Sequence, residues 1–298
     1  MSILNRTYSY LLSATFKEKS ERLILAIAII SYVIHLIFIV LSQQGIISVE
    51  SKFLNDPIAA IYTPFSFILI YEVYLLIFYL PKSISFYIGK QYEIITLIVI
   101  RRIFKDIASI KLTSEWFKVR DDLQFTYDVA TSLILFVIIY LFYKNIRQSS
   151  NSGKRTTEEE QKITRFVNLK KGISVLLVPI LFVLASFTLF HWLKETISEY
   201  GNGVLAFKNI NNVFFDEFFT LLIIVDVMLL LASFFYSHQF HKIIRNSGFV
   251  ISTILIKVSF SVTGIVNNAL IIGAVLFGFL ILLIHNLYEK NESTQMQM

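Results

Sequence analysis

The stretch EIITLIVIRRIFKDIASI, residues 93–110, decides how many times this chain crosses a membrane. Its first eight residues are almost entirely apolar and would suit a lipid bilayer, but Arg101, Arg102, Lys105 and Asp106 then follow within six positions. Either a membrane helix ends at Arg101, or the chain carries charged side chains through the membrane interior. The rest of the sequence favours the second alternative.

The composition is that of a multi-pass membrane protein. Of the 298 residues, 55% are hydrophobic and only 16% are charged, whereas about a quarter of a soluble domain is charged. The net charge of +6 would suggest nucleic-acid binding in a soluble chain. In a membrane protein it reflects the accumulation of Lys and Arg on the cytoplasmic side, so we expect lipid and not nucleic acid as the surroundings.

Apolar segments of membrane-spanning length recur along the chain. A bilayer core needs about 20 apolar residues per helix. Single helices are predicted at 23–42, 58–80, 127–144, 172–193 and 216–237. The segment 249–287 is long enough for two helices, with a tight turn predicted at Asn267 and Asn268 after Gly264.

The distribution of basic residues indicates that 90–112 also crosses. If it does, the segments on the side of the N-terminus contain 16 Lys and Arg residues and those on the other side contain 6. Basic residues of short loops favour the cytoplasmic side. We therefore expect an all-α integral membrane protein with about eight transmembrane helices, located in the cytoplasmic or plasma membrane with both termini inside.

A polar segment at 145–171 divides the chain into two sets of four predicted spans. The predicted regions are a cytoplasmic or interfacial segment 1–22, a first bundle 23–144, a cytoplasmic linker 145–171, a second bundle 172–288 and a cytoplasmic tail 289–298.

An internal duplication is one interpretation of this division. Aligning Glu72 with Asp226 brings YEVYLL against VDVMLL, and a shift of two further residues brings Arg101 against Lys257. Bundles with an even number of spans would form two parallel four-helix repeats. The alternative is chance similarity between apolar helices.

The same four residues are predicted to form charge pairs inside the membrane. A rise of about 1.5 Å per residue puts each of them about 13–16 Å from the inner surface. An isolated charge at that depth costs about 2.5–3.5 kcal/mol or more. We therefore expect Glu72 to pair with Arg101 or Arg102, and Asp226 to pair with Lys257, either as a structural lock or along an aqueous path.

Three further features bear on function. Thr253, Lys257 and Ser261 recur at four-residue spacing and predict a polar stripe, while His35 is a candidate proton relay within the first span. Glu72 alone cannot satisfy both arginines and Lys105, so we expect water, a second copy of the chain or another membrane subunit near them.

The sequence contains no phosphate-binding glycine loop, HExxH or GxSxG motif and no cysteine. We therefore expect no enzyme activity, no cofactor and no metal site. Segments 126–143 and 268–285 lack Lys and Arg, which excludes the arginine-bearing helix of a voltage sensor. A channel or transporter for a small ion, protons included, is the predicted function, and a non-transporting membrane scaffold or accessory subunit is the alternative.

Overall fold

The computed structural model describes residues 3–46, 59–107, 120–148, 157–198, 203–236 and 239–295. Within these ranges the backbone forms helices and short connections with no strand, so the all-α prediction is confirmed. In chain order the helices of the described residues are α1 (Ile3–Leu11), α2 (Ala14–Gln43), α3 (Tyr62–Tyr79, after a single 3-10 turn at Ala59–Ile61), α4 (Ile84–Ile107), α5 (Arg120–Gln148), α6 (Thr157–Ser198), α7 (Gly203–Tyr236), α8 (Phe240–Ser259) and α9 (Ile265–Gln295).

Five of these helices, α2, α5, α6, α7 and α9, are long and apolar enough to cross a membrane. Their outer surfaces carry large apolar side chains such as Leu133, Val183 and Phe235, which are 61%, 67% and 81% exposed. Surfaces of this kind fit lipid better than water. The chain thus has the character of a multi-pass helical membrane protein in contact with a bilayer.

Helix α4 contains the opening stretch and runs without interruption past Arg101. Ser83 stands immediately before the helix, and its hydroxyl accepts a hydrogen bond from the backbone N–H of Phe86 at 3.3 Å. The helix continues to Ile107, so the prediction that it does not end at Arg101 is confirmed. Residues 108–112 of the predicted span lie outside the described residues.

The side chains of α4 are mostly buried, which distinguishes it from the lipid-facing helices. Tyr92, Ile95 and Val99 are completely buried, and Arg101 is only 5% exposed. A helix with so many polar groups would be unfavourable against lipid, but other helices can supply partners for those groups. Packing in the protein interior therefore accounts for the charges that interrupt this apolar sequence.

The chain divides into two compact units, each assembled from separate parts of the sequence. The first unit comprises Met1–Ile77, Ile98–Val129 and Val175–Phe218, and the second comprises Phe78–Leu97, Ala130–Ser174 and Phe219–Met298. Helices α3 to α7 each contribute residues to both units.

The turn between α8 and α9 lies earlier than the sequence predicts. Gly264 adopts a φ of 76°, a left-handed conformation that glycine tolerates, and reverses the chain between Ser259 and Ile265. Asn267 and Asn268 are consequently part of α9 rather than of the turn. The Asn267 side-chain amide donates a hydrogen bond to the Ser259 carbonyl, which satisfies an acceptor at the end of α8.

Glycine allows a close approach of α9 to Tyr92 in the second unit. A Cβ atom added at Gly278 would lie 1.7 Å from the Tyr92 hydroxyl oxygen. This hydroxyl is buried and forms a hydrogen bond of 2.8 Å with Ser252 Oγ. By contrast, a Cβ at Gly273 on the same helix would have no heavy atom within 4 Å. These two glycines are therefore a matched pair for testing the packing.

We expect Gly278→Ala to destabilise the protein by about 1–3 kcal/mol, since overpacking forces Tyr92 out of its position. Gly273→Ala should change stability by no more than about 1 kcal/mol, because alanine favours the helix and meets no neighbour. Thermal unfolding in detergent, followed by tryptophan fluorescence, measures both. Equal midpoints for the two variants would contradict the described packing.

Candidate functional site

The first unit contains an ion pair between two residues that the sequence pattern singles out. Arg101 on α4 donates a hydrogen bond through Nη2 to Oε2 of Glu72 on α3, and each residue is only 5% exposed. Each charge thereby has an opposite charge as its partner, which offsets part of the loss of hydration. Such a pair also restricts the register of α3 against α4.

Arg102 has an acidic neighbour that sequence reasoning missed. Its Nε lies 3.2 Å from Oδ2 of Asp128 on α5, and the Asp106 carboxylate also attracts its charge. Asp128 is completely buried and accepts a hydrogen bond from Gln124 Nε2 at 2.8 Å. The predicted surplus charge at Arg102 therefore has partners within the same unit and does not require a second subunit.

Asp128 was overlooked because it lies at the start of the predicted span 127–144, where an acid normally faces the aqueous loop. In the structure α5 begins earlier, at Arg120, so Asp128 lies more than two turns inside the helix. The Lys105 side chain lies outside the described part of the structure.

The second unit contains a buried polar cluster centred on Asp226 of α7. Gln91 on α4 donates from Nε2 to Asp226 Oδ2 at 3.1 Å, and Thr253 on α8 donates from Oγ1 to Gln91 Oε1 at 2.8 Å. Asp226 is 5% exposed, while Gln91 and Thr253 are completely buried. The buried Tyr87 hydroxyl interacts electrostatically with Asp226, although it has no hydrogen-bond partner among the described residues.

This cluster differs from the predicted pairing of Asp226 with Lys257. Among the described ion pairs none joins these two residues, and the hydrogen bond to Asp226 comes from a neutral amide instead. The sequence indicates the depth of Lys257 but not the residue at which α8 begins, which is Phe240 in the structure. The resulting register brings Thr253 to Asp226, and Lys257 lies one helical turn, about 6 Å, farther along α8.

Lys170 is the cation whose charge acts on Asp226. The sequence places it in the polar linker, but it belongs to α6 and is only 2% exposed. Its Nζ donates a hydrogen bond to the Lys82 carbonyl at 2.8 Å and lies 5.3 Å from the centre of the Phe166 ring. Asp226 attracts this ammonium group, and Arg245 repels it.

The predicted polar stripe is only partly present. Thr253 is buried in the Asp226 cluster, but Ser261 lies in the turn after α8 and is exposed, because that helix ends at Ser259. Lys257 is partly exposed and makes other interactions. Ser252, which the pattern does not single out, is buried and donates to the Ala274 carbonyl at 2.7 Å.

His35 joins two helices of the first unit. Its Nδ1 lies 2.6 Å from Oγ1 of Thr63, and the ring is 5% exposed. This geometry corresponds to a hydrogen-bonded packing residue between α2 and α3. A role as proton relay stays a prediction.

A second polar cluster in the second unit surrounds Arg245 of α8. Its Nη1 lies 2.9 Å from Nε2 of His285, whose ring stacks on His241 with centroids 5.0 Å apart. The nearby Glu289 carboxylate attracts the charge of Arg245. Among the described residues no three His, Cys, Asp or Glu side chains converge as a metal site.

One open cavity of 420 Å³ lies in the first unit, away from the buried charges. It lies between α6 and α7, and its lining is apolar except for one carboxylate. The lining residues are Pro179, Ile180, Val183, Leu184, Phe187 and Glu217.

The Glu72–Arg101 pair provides a direct test of how much the buried charges contribute to stability. We expect Glu72→Gln to destabilise the protein by about 3–5 kcal/mol, because it leaves Arg101 buried without its opposite charge. The matched control is Glu93→Gln, which removes the partner of Lys90 from an ion pair of 2.7 Å at a partly exposed site. Its effect should stay below about 1 kcal/mol.

Thermal unfolding in detergent measures both variants. Exchanging the two charges, with Glu72→Arg and Arg101→Glu together, should recover part of the loss from either single change. A double variant no more stable than the worse single variant would contradict the assignment of this pair.

Comparison of the chain with protein-family models, characterised proteins and solved structures finds no match. Its function is therefore inferred from the buried charged and polar groups described above.

Proposed function

We propose that this chain moves a small ion across a membrane and that Asp226 is part of the ion path. The proposed architecture has eight spans, formed by α2 to α9, with both termini on the cytoplasmic side of the cytoplasmic or plasma membrane. Five long apolar helices support this arrangement, as does the excess of Lys and Arg on one side of the predicted membrane. We retain the predicted division into bundles 23–144 and 172–288, with two parallel repeats as part of the proposal.

One observation carries the transport proposal. Asp226 is an acidic residue buried within an apolar helix, and among the described residues its carboxylate accepts a hydrogen bond from the neutral amide of Gln91. Ionisable groups at membrane depth are unfavourable, and many of those that occur there either pair with one another or line substrate and proton paths. Among the described residues no ion pair includes Asp226, and an acid of this kind is better suited to bind and release an ion than one already neutralised.

The first unit supplies a contrast that supports this choice. Glu72 and Arg102 each have an oppositely charged neighbour, Arg101 and Asp128 respectively. Releasing either charge to bind an ion would leave its partner buried alone. We therefore assign these pairs a structural role and place the ion-binding step in the second unit.

The same ion pairs favour the alternative function, a non-transporting scaffold or accessory subunit. Matched charges lock helices together without any need for a moving ion. Apolar side chains such as Leu23, Ile29 and Ile30 on α2 are about 60% exposed, so this helix also offers a surface to another membrane helix. The partner would be a second copy of the chain or a different membrane subunit.

The absence of cysteine makes the proposed topology directly testable. We expect single cysteines at positions 2 and 152 to react with a membrane-impermeant maleimide only from the cytoplasmic side. A single cysteine at position 51 or 114 should react only from the opposite side. Labelling of positions 2 and 152 from opposite sides would contradict the eight-span arrangement, because it would mean that an odd number of spans separates them.

Ion flux into proteoliposomes tests the transport proposal. We expect the purified protein to carry H⁺, K⁺ or Cl⁻ well above the rate in protein-free liposomes. Glu93→Gln should retain that rate because the Glu93 carboxylate pairs with Lys90 at a partly exposed site. No flux of any of these ions, together with a stoichiometric protein partner on purification, would contradict transport and establish the accessory role.

A further inference from the structure

We infer that the ion carried is the proton, which binds to Asp226 and is accommodated by a reversal of hydrogen bonds through Gln91 and Thr253. The inference rests on the proposed transport function and adds the identity of the ion and of the group that holds it.

The observed chain of hydrogen bonds fits an ionised Asp226. Gln91 directs an N–H donor at Asp226 Oδ2 at 3.1 Å, and its carbonyl oxygen accepts from the Thr253 hydroxyl at 2.8 Å. Each of the three side chains comes from a different helix, α7, α4 and α8, and all are buried. Because these side chains are buried, hydrogen bonds within the protein replace those that bulk water would otherwise provide.

The same side chains also fit a protonated Asp226. A carboxylic acid has an O–H donor, and a Gln amide becomes an acceptor toward it by rotating 180° to exchange Oε1 and Nε2. The amide nitrogen then donates to Thr253 Oγ1. The Thr253 hydroxyl then donates its hydrogen bond to the Phe249 carbonyl oxygen, which already lies 3.1 Å away. Both protonation states therefore keep Asp226, Gln91 and Thr253 hydrogen-bonded to one another, and the Gln91 amide oxygen and nitrogen are the heavy atoms that exchange places.

The remaining groups near Asp226 are compatible with a change in its charge from −1 to 0. Tyr87, on the same helix as Gln91, brings a hydroxyl that can donate or accept. Lys170 on α6 stabilises the ionised carboxylate, while Arg245 on α8 repels Lys170. Proton uptake removes the negative charge that attracts the Lys170 ammonium, so the two buried groups are electrostatically coupled.

A metal cation fits this cluster poorly. Ca²⁺ takes six to eight oxygen ligands and Mg²⁺ takes six. Here an N–H donor points at the carboxylate, Thr253 uses the Gln91 oxygen, and the Lys170 ammonium repels cations. A proton requires only one carboxylate oxygen and one acceptor for the resulting O–H group.

The proton balance of the cycle is simple. One proton from water on one side adds to an Asp226 carboxylate oxygen and gives the neutral acid. Its O–H bond then breaks toward water on the other side, and the carboxylate and the observed hydrogen-bond direction return. One positive charge has crossed per cycle, with no other reactant.

Infrared difference spectroscopy between low and high pH detects the protonated acid independently of transport. We expect a carboxylic-acid C=O band in the wild type that is lost in Asp226→Asn. Thr253→Val should shift this band because it breaks the chain, whereas Thr253→Ser keeps the hydroxyl and should leave the band unchanged. Absence of a titrating band that depends on Asp226 would overturn the inference.

Flux measurements separate this inference from the transport proposal. We expect wild-type proteoliposomes to carry H⁺ down a pH gradient but not Na⁺ or K⁺, and Thr253→Val to slow H⁺ entry about 2- to 10-fold, as expected for one lost hydrogen bond. Thr253→Ser should retain the wild-type rate. Flux of Na⁺, K⁺ or Cl⁻ without H⁺ would contradict the inference that the proton is the ion carried, but it would leave the transport proposal intact. Absence of all flux would overturn both proposals.

Discussion

A charge buried in an apolar helix bundle must meet another polar group, and this requirement organises the structure around α4. Insertion of an isolated charged residue at the centre of a membrane helix costs about 2.5–3.5 kcal/mol or more. Helix α4 carries Arg101 and Arg102 in the first unit and Gln91 in the second, so neighbouring helices must supply matching groups to both. Glu72 and Asp128 supply carboxylates to the two arginines, and the Asp226 carboxylate accepts a hydrogen bond from Gln91.

The two units satisfy this requirement in different ways, and the difference underlies the functional proposal. The first unit uses ion pairs, in which loss of either member leaves an isolated buried charge. In the second unit, Asp226 accepts a hydrogen bond from the amide of Gln91, and Lys170, whose charge also acts on Asp226, donates its hydrogen bond to a backbone carbonyl. A neutral amide tolerates both forms of an acid because it offers a donor and an acceptor. The second arrangement therefore suits a group that changes protonation.

The sequence predicts the protein class, the helical architecture and the continuity of α4 well. These properties follow from local composition and from the number of apolar residues in a row. The ion pair between Glu72 and Arg101 can also be predicted from the sequence. The two helices are consecutive, and these opposite charges lie at similar predicted depths. Thus local patterns are sufficient where a contact joins neighbouring elements.

The contacts of the Asp226 cluster cannot be predicted from such local patterns. Gln91 and Asp226 are separated by 135 residues, and a neutral Gln in an apolar helix gives no sign that it serves a distant acid. The helix register that brings Thr253 rather than Lys257 to Asp226 depends on where α8 begins, and Phe240 lies outside the apolar segment that defines the predicted span. Lys170 was likewise assigned to the linker because its neighbours in sequence are polar.

Asp128 illustrates a related limit. An acid near the end of an apolar segment normally faces water, and the sequence does not reveal that α5 extends several residues before it. Only the packing of α5 beside α4 within the first unit identifies Asp128 as the neighbour of Arg102. The charge of Arg102, one part of the surplus that suggests a vestibule or a partner subunit in the sequence, thus has an acidic neighbour inside the chain.

The central claim is that protons cross by binding to Asp226. The most direct measurement compares H⁺ entry into proteoliposomes that contain wild-type protein or Asp226→Asn, under the same imposed pH gradient and with equal amounts of reconstituted protein. Asparagine preserves the size of the side chain but holds no exchangeable carboxylic proton, so the account predicts that H⁺ entry falls to the rate of protein-free liposomes. Wild-type H⁺ entry in Asp226→Asn would contradict it.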